Sequence, residues 1–195
     1  MAKIYVIMGK SSSGKDTVYS KLKEDKSVKF NNVIMYTTRP KREGEEDGRE
    51  YYFTDDEAVI EYEEKGKIIE LRAYNTVHGV WKYFTLDDGQ IDLSTDNKYL
   101  IIATLEAYKK YLEYYGSEVV VPIYIEVDDG VRIHRALARE DAQEKPKYAE
   151  MCRRYLADEQ DFSEEKILEL GITKRYQNIV LEECLLSIVT DISES

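Results

Sequence analysis

Ile4-Tyr5-Val6-Ile7-Met8-Gly9-Lys10-Ser11-Ser12-Ser13-Gly14-Lys15-Asp16-Thr17 is the stretch on which the fold turns. Its first five residues form an apolar run, which reads as a buried strand, and Val18 to Leu22 after it reads as a helix start. Glycines at 9 and 14 let the backbone between them wrap closely around an anion with its N–H groups turned inward. The helix adds unpaired N-terminal donors and the positive end of its dipole. Gly9, Ser11, Ser12, Ser13, Gly14 and Lys15 therefore form a candidate phosphate-binding loop, with Lys15 reaching the outer phosphates of a nucleoside triphosphate. The usual pattern has Ser or Thr after the lysine to hold Mg²⁺; here Asp16 stands there and Thr17 follows. A carboxylate beside phosphates is repulsive unless a metal lies between them, so Asp16 and Thr17 are the expected Mg²⁺ residues. The competing reading is a Gly/Ser-rich turn capped by Asp16.

The whole chain sets outer bounds. Its 195 residues suffice for one sizeable core with a small inserted lobe. A net charge of −11 argues against broad nucleic-acid or anionic-membrane binding, so any basic site must be local. No apolar run reaches membrane-spanning length, and a strand that begins at once leaves no room for a signal peptide. Cys152 and Cys184 lack metal-ligand spacing and a disulfide framework; reduced thiols in a cytoplasmic protein are the simpler reading.

Apolar strands are expected at Asn32 to Thr37, Tyr99 to Ala103 and Val119 to Val127, with a helix over Leu105 to Tyr115. Shorter strands are expected at Tyr51 to Phe53, Ile68 to Tyr74 and Val80 to Thr85, with Asp88-Gly89 as a hairpin turn before Gln90 to Leu93. The last third reads as helices near 128–141, 147–161 and 163–170, a strand near Tyr176 to Val180 and a final helix. Strands alternating with helices at both ends imply an α/β fold in three layers, α/β/α, around a central parallel sheet. Residues 1–36 and 95–195 are read as the core, 37–94 as an inserted lobe and about 137–152 as a helical lid.

Thr37-Thr38-Arg39-Pro40-Lys41-Arg42 offers a second anion site, since Arg39 and Arg42 place two planar charged forks in one loop and Tyr51 can add a neutral donor. Alone, the loop reads better as a solvated surface whose arginines pair with Glu43, Glu45, Glu46, Asp47 and Glu50. The spelled pattern Thr37, Thr38, Arg39, Arg42, Gly44, Glu45, Gly48, Tyr51 and Phe53 resembles, without a gap, the monophosphate-binding segment of guanylate kinases.

That resemblance implies a P-loop nucleoside-monophosphate kinase with ATP as donor, Mg²⁺ as cofactor and GMP or dGMP as acceptor. It places Arg39, Arg42 and Tyr51 on the acceptor phosphate, Thr37 among the substrate-binding residues, Glu70 on guanine, and Tyr83 and Thr85 beside phosphate and base. Glu70 suits guanine's adjacent donors because a carboxylate only accepts. The resemblance also assigns Arg135, Arg139 and Arg154 to a lid closing over the triphosphate, and Asn178 to adenine. The chain departs from the family in three places. Asn75 to Gly79 is lengthened with Phe84 in place of a glycine, Glu182 does not complete the Asn-Asp turn, and Ile102 and Thr104 stand where the family has Asp-x-Asp. The acceptor phosphate is already anionic and needs no general base, so turnover is expected to survive, with metal binding rebuilt around Asp16. Two alternatives stand beside this: a kinase for another phosphorylated small molecule, and a catalytically weak guanylate-kinase-like binding module. Monomer and homodimer are both compatible with the sequence.

Overall fold

Strand β1 (Lys3–Met8) runs through the centre of the first sheet, and its side chains show why. Ile4, Val6 and Met8 pack into one apolar cluster while Tyr5 and Ile7 pack into another, so both faces of the strand are covered. In this computed structural model residues 1–76 and 78–194 are described; Val77, inside the segment read as lengthened, and Ser195 lie outside them.

The first sheet has the order β2-β7-β1-β8-β9 and is parallel throughout, with β2 Phe30–Asn32, β7 Lys98–Ile102, β8 Val120–Glu126 and β9 Arg175–Gln177. Helices α1 (Lys15–Glu24) and α7 (Leu181–Glu194) cover one face through Val18, Leu22, Cys184 and Ile188. On the other face lie α3 (Leu105–Tyr115), the end of α5 (Tyr148–Asp161) at Phe162, and α6 (Glu164–Glu169). This is the three-layer arrangement expected. Thr104 caps α3 by accepting from the Ala107 amide, and Gly116 ends it, which is why that helix was fully legible.

A second sheet, ordered β4-β3-β6-β5, is built from β3 Tyr36–Thr37, β4 Tyr52–Phe53, β5 Ile68–Thr76 and β6 Gly79–Leu86. Val59 of α2 (Asp56–Glu64) packs beneath it with Phe84 and Leu86. The expected strand Asn32 to Thr37 is two strands: β2 ends at Asn32 in the first sheet and β3 starts at Tyr36 in the second. Gln90 to Leu93 is not a strand either. Gln90 instead grips Ile34, its Oε1 accepting from the amide at 2.8 Å and its Nε2 donating to the carbonyl at 3.1 Å. The real hairpin is β5–β6, closed where Thr76 Oγ1 donates to the Gly79 carbonyl at 2.7 Å.

Helix α4 (Asp129–Asp141) leaves β8 and forms an antiparallel pair with α5. Among the described residues no helix is long and apolar enough to cross a membrane, and Cys152 and Cys184 are both free thiols.

Candidate active site

The loop after β1 is shaped from outside. Gly9 approaches the β8 backbone so closely that a Cβ would stand 2.5 Å from the Ile125 carbonyl oxygen. Gly14, at φ +86°, opens α1, and a side chain there would collide with Asn178 Nδ2. The Ser13 carbonyl accepts from Asn178 Nδ2 at 2.8 Å, and the Ser11 carbonyl from Arg132 Nε at 3.1 Å. Arg135 Nη2 reaches the Asn178 carbonyl at 2.9 Å. The Ser11 and Ser13 carbonyls are thus tied back, and two of the loop's amides are also engaged, Ser11 donating to Asp158 Oδ2 at 2.8 Å and Ser13 to the Lys10 carbonyl at 3.2 Å. Ser12, at φ +62°, and Ser13 each bury a hydroxyl that has no partner among the described residues. Such orphaned groups fit a loop built to wrap an anion. Lys15 Nζ stands 3.6 Å from the Asp16 carboxylate; Thr17 is exposed.

The second loop is held by its own charges. Arg39, only 3% exposed, forks onto Glu45 at 2.8 and 3.0 Å, and its guanidinium lies 5.6 Å from the ring centres of both Tyr51 and Phe53. Thr37 is buried, donating to the Lys82 carbonyl and accepting from the Arg39 amide. Glu45 also accepts from the Arg42 amide at 2.8 Å, while the Arg42 side chain is exposed. The Arg39 hydrogen bond, followed by the Arg42 amide, pulls the Glu45 pKa from 4.5 down to about 2. A folded-state pKa below the unfolded one stabilises fully above pH 4.5 and is lost as pH falls towards 2. A Glu45→Gln variant should therefore lose less stability than the parent between those two pH values; matching acid limbs in chemical denaturation would count against the pair.

Lys15 and Asp16 share one cavity of about 390 Å³ with Tyr51, Arg72, Tyr83 and Thr104. Met35, Tyr74, Trp81, Ile102 and Ala103 complete its wall. Lys15 of the first loop and residues of the second sheet thus face the same space. Residues 70, 72 and 74 alternate onto one face of β5, opposite Thr85, Tyr83 and Trp81 of β6. Tyr83 meets Tyr51 and Tyr74 edge to face, at 5.6 and 5.7 Å between ring centres.

Glu70 and Thr85 lie deeper and do not line the cavity. The Glu70 carboxylate, 2% exposed, is forked by Arg72 Nε at 2.9 Å and Nη2 at 3.2 Å, and accepts from Thr85 Oγ1 at 3.1 Å. Tyr111 stands 2.6 Å behind Thr85. Burial would lower the Arg72 pKa, but the charge and hydrogen bonds of Glu70 outweigh it and hold the guanidinium above its ordinary value.

Of the three arginines expected in the lid, Arg135 alone reaches the first loop, its Nη1 3.5 Å from the Ser13 carbonyl. Arg139 is exposed at the end of α4, and Arg154 is exposed and pairs with Glu150 at 2.9 Å. Asn178 is buried as a prop of the loop. The sequence reading missed Arg72 and the anchoring of Arg132 by Asp158 and Glu159. Arg72 was findable: opposite charges two apart on a strand share a face. Arg132 and Asp158 are 26 residues apart and carried no local signal.

The guanylate kinase family profile matches residues 1–80, which include both loops. A guanylate kinase of Thermotoga maritima is 29% identical over 134 residues, covering 66% of this chain and 62% of that protein. One from Anaplasma phagocytophilum is 30% identical over 118 residues, covering 60% of this chain and 54% of that protein. The matched stretches thus span a little over half the length of these relatives. The crystal structure of guanylate kinase from Anaplasma phagocytophilum superposes with a TM-score of 0.64 at 23% identity, over 99% of this chain and 85% of that one, a likeness of fold. Over its amino-terminal 80 residues the chain is similar to guanylate kinases, and it shares the fold of one over nearly its whole length.

Proposed function

We propose that the protein transfers the γ-phosphoryl group of ATP to a nucleoside monophosphate, with GMP or dGMP as acceptor. The observation that carries this is the single cavity shared by Lys15 and Asp16 with Tyr51, Arg72 and Tyr83. A donor cradle and an acceptor wall facing one space are what in-line transfer requires. The donor's phosphates would lie along Gly9 to Lys15, with Lys15 on the β- and γ-phosphates. The acceptor phosphate would be held by Arg39, Arg42 and Tyr51, and binding it requires Arg39 to exchange Glu45 for phosphate oxygens.

No cluster of three or more His, Cys, Asp or Glu that could hold a metal occurs among the described residues. Mg²⁺ is ordinarily bound by one or two protein oxygens plus substrate phosphates, and Asp16, in the cavity beside Lys15, fits that need. Bound with ATP, the ion supplies neutralisation of phosphate charge. Thr17 lies outside the cavity wall and is the weaker partner.

The division into a core (1–36 and 95–195), an acceptor lobe (37–94) and a lid (about 137–152) belongs to the same reading. Arg132 staples the base of the α4–α5 pair to the first loop, which leaves the tip, with Arg139 on it and Arg154 just beyond it, to fold down. The test is ADP release from Mg-ATP against a panel of nucleoside monophosphates and sugar phosphates. Matched formation of ADP and GDP with GMP is expected. Turnover with a sugar phosphate alone would make it a kinase of another class, and none with any acceptor would leave a binding module.

A further inference from the structure

We propose that Arg72, and not Glu70, reads the acceptor base, and that it does so by donating hydrogen bonds to the 6-oxo edge of a purine. The inference rests on the acceptor reading above and sharpens its specificity. Glu70 can offer little to a ligand, because its carboxylate is buried and committed to Arg72 and Thr85. Arg72 covers it and is the member of the pair that lines the cavity. Its fork is fixed on one side, Nε and Nη2 to Glu70, with Nη2 also 3.6 Å from Met35 Sδ. Nη1 has no hydrogen-bond partner among the described residues. A charged donor held rigidly by a buried carboxylate is oriented before any ligand arrives, and Tyr74, Trp81 and Tyr83 give the same space aromatic walls.

The consequence is chemical. A carboxylate reader demands the N1–H and 2-amino donors of guanine. A guanidinium edge demands acceptors, and O6 with N7 is the pair it matches best. Hypoxanthine carries the same O6 and N7 without the 2-amino group, so GMP and IMP should be treated nearly alike. Adenine presents an amino donor at that edge, which would face the guanidinium donor to donor. Glu70 is then a positioning residue acting through Arg72.

The test measures kcat/KM for GMP, IMP and AMP with Mg-ATP, and binding of the same three nucleotides by calorimetry, in the parent and in Arg72→Ala. The parent is expected to use and bind GMP and IMP within about 5-fold of each other and AMP at least about 100-fold worse. Arg72→Ala uncovers the Glu70 carboxylate, so GMP should become favoured over IMP by about 10-fold or more. An Arg72→Ala/Glu70→Gln double variant, which leaves no bare buried charge, should lose discrimination among all three bases while remaining folded. A parent that prefers GMP over IMP by 100-fold, or an Arg72→Ala variant with unchanged ratios, overturns the assignment while leaving phosphoryl transfer standing. Binding in the expected order with no ADP formed would overturn the kinase reading and keep Arg72 as the reader; no binding of any of the three would overturn both.

Discussion

Lys15→Met should lower the rate of phosphoryl transfer by about 10³-fold while leaving the fold in place, because on the proposed reading the lysine is a point charge on the phosphates that carry the transition-state charge. The methionine keeps the length and apolar stem of the side chain. Among the described residues the only ion pair lost is the one to Asp16, 3.6 Å long, in which Asp16 is 84% exposed, and such a pair contributes less than about 1 kcal/mol. Stability and turnover should therefore separate cleanly: denaturation midpoints match, and ADP release disappears. Retained turnover would remove the loop from the donor site.

The second large effect falls on stability. Arg132 is 1% exposed and binds Asp129 at 2.6 Å, Glu159 at 3.0 Å, Asp158 at 3.1 Å and the Ser11 carbonyl, with the Tyr155 ring 4.8 Å away. Asp158 in turn accepts from the Ser11 amide at 2.8 Å, and Glu159 from Lys10. Arg132→Met fills the space but leaves those carboxylates without their shared cation. Removing one partner of a buried pair costs about 3–5 kcal/mol; partial exposure of Asp129 and Glu159 argues for the lower end, about 3 kcal/mol. In a chain of 195 residues that corresponds to roughly 6–12 °C in Tm. The KM for ATP should rise as well, since the loop loses its outer brace at Ser11. A loss below about 1 kcal/mol in urea denaturation would show that the arginine is dispensable to the fold.

Local signals made the core readable. Strand β1, the glycines at 9 and 14 and the capped helix α3 each announce themselves within a dozen residues. The passage of the chain from one sheet to the other did not. Asn32 to Thr37 is continuously apolar enough to pass for one strand, and nothing in its period marks where the partner changes. The site divides the same way. Arg39, Arg42 and Lys15 were visible as charges in loops. That Arg39 is forked on Glu45, and that Glu70 is roofed by Arg72 and backed by Thr85 and Tyr111, depends on packing across β5, β6 and α3. Charge identity is written in sequence; whether a charge is offered to solvent or spent inside is decided by tertiary neighbours.

The proposed donor and acceptor phosphate sites can be probed in a single titration. A two-headed ligand, adenosine joined to guanosine through five phosphates, should bind one per chain and at least about 100-fold more tightly than ATP or GMP alone, since its second half binds at high effective concentration. An affinity no better than that of ATP would mean that the cradles around Lys15 and Arg39 do not serve one reaction.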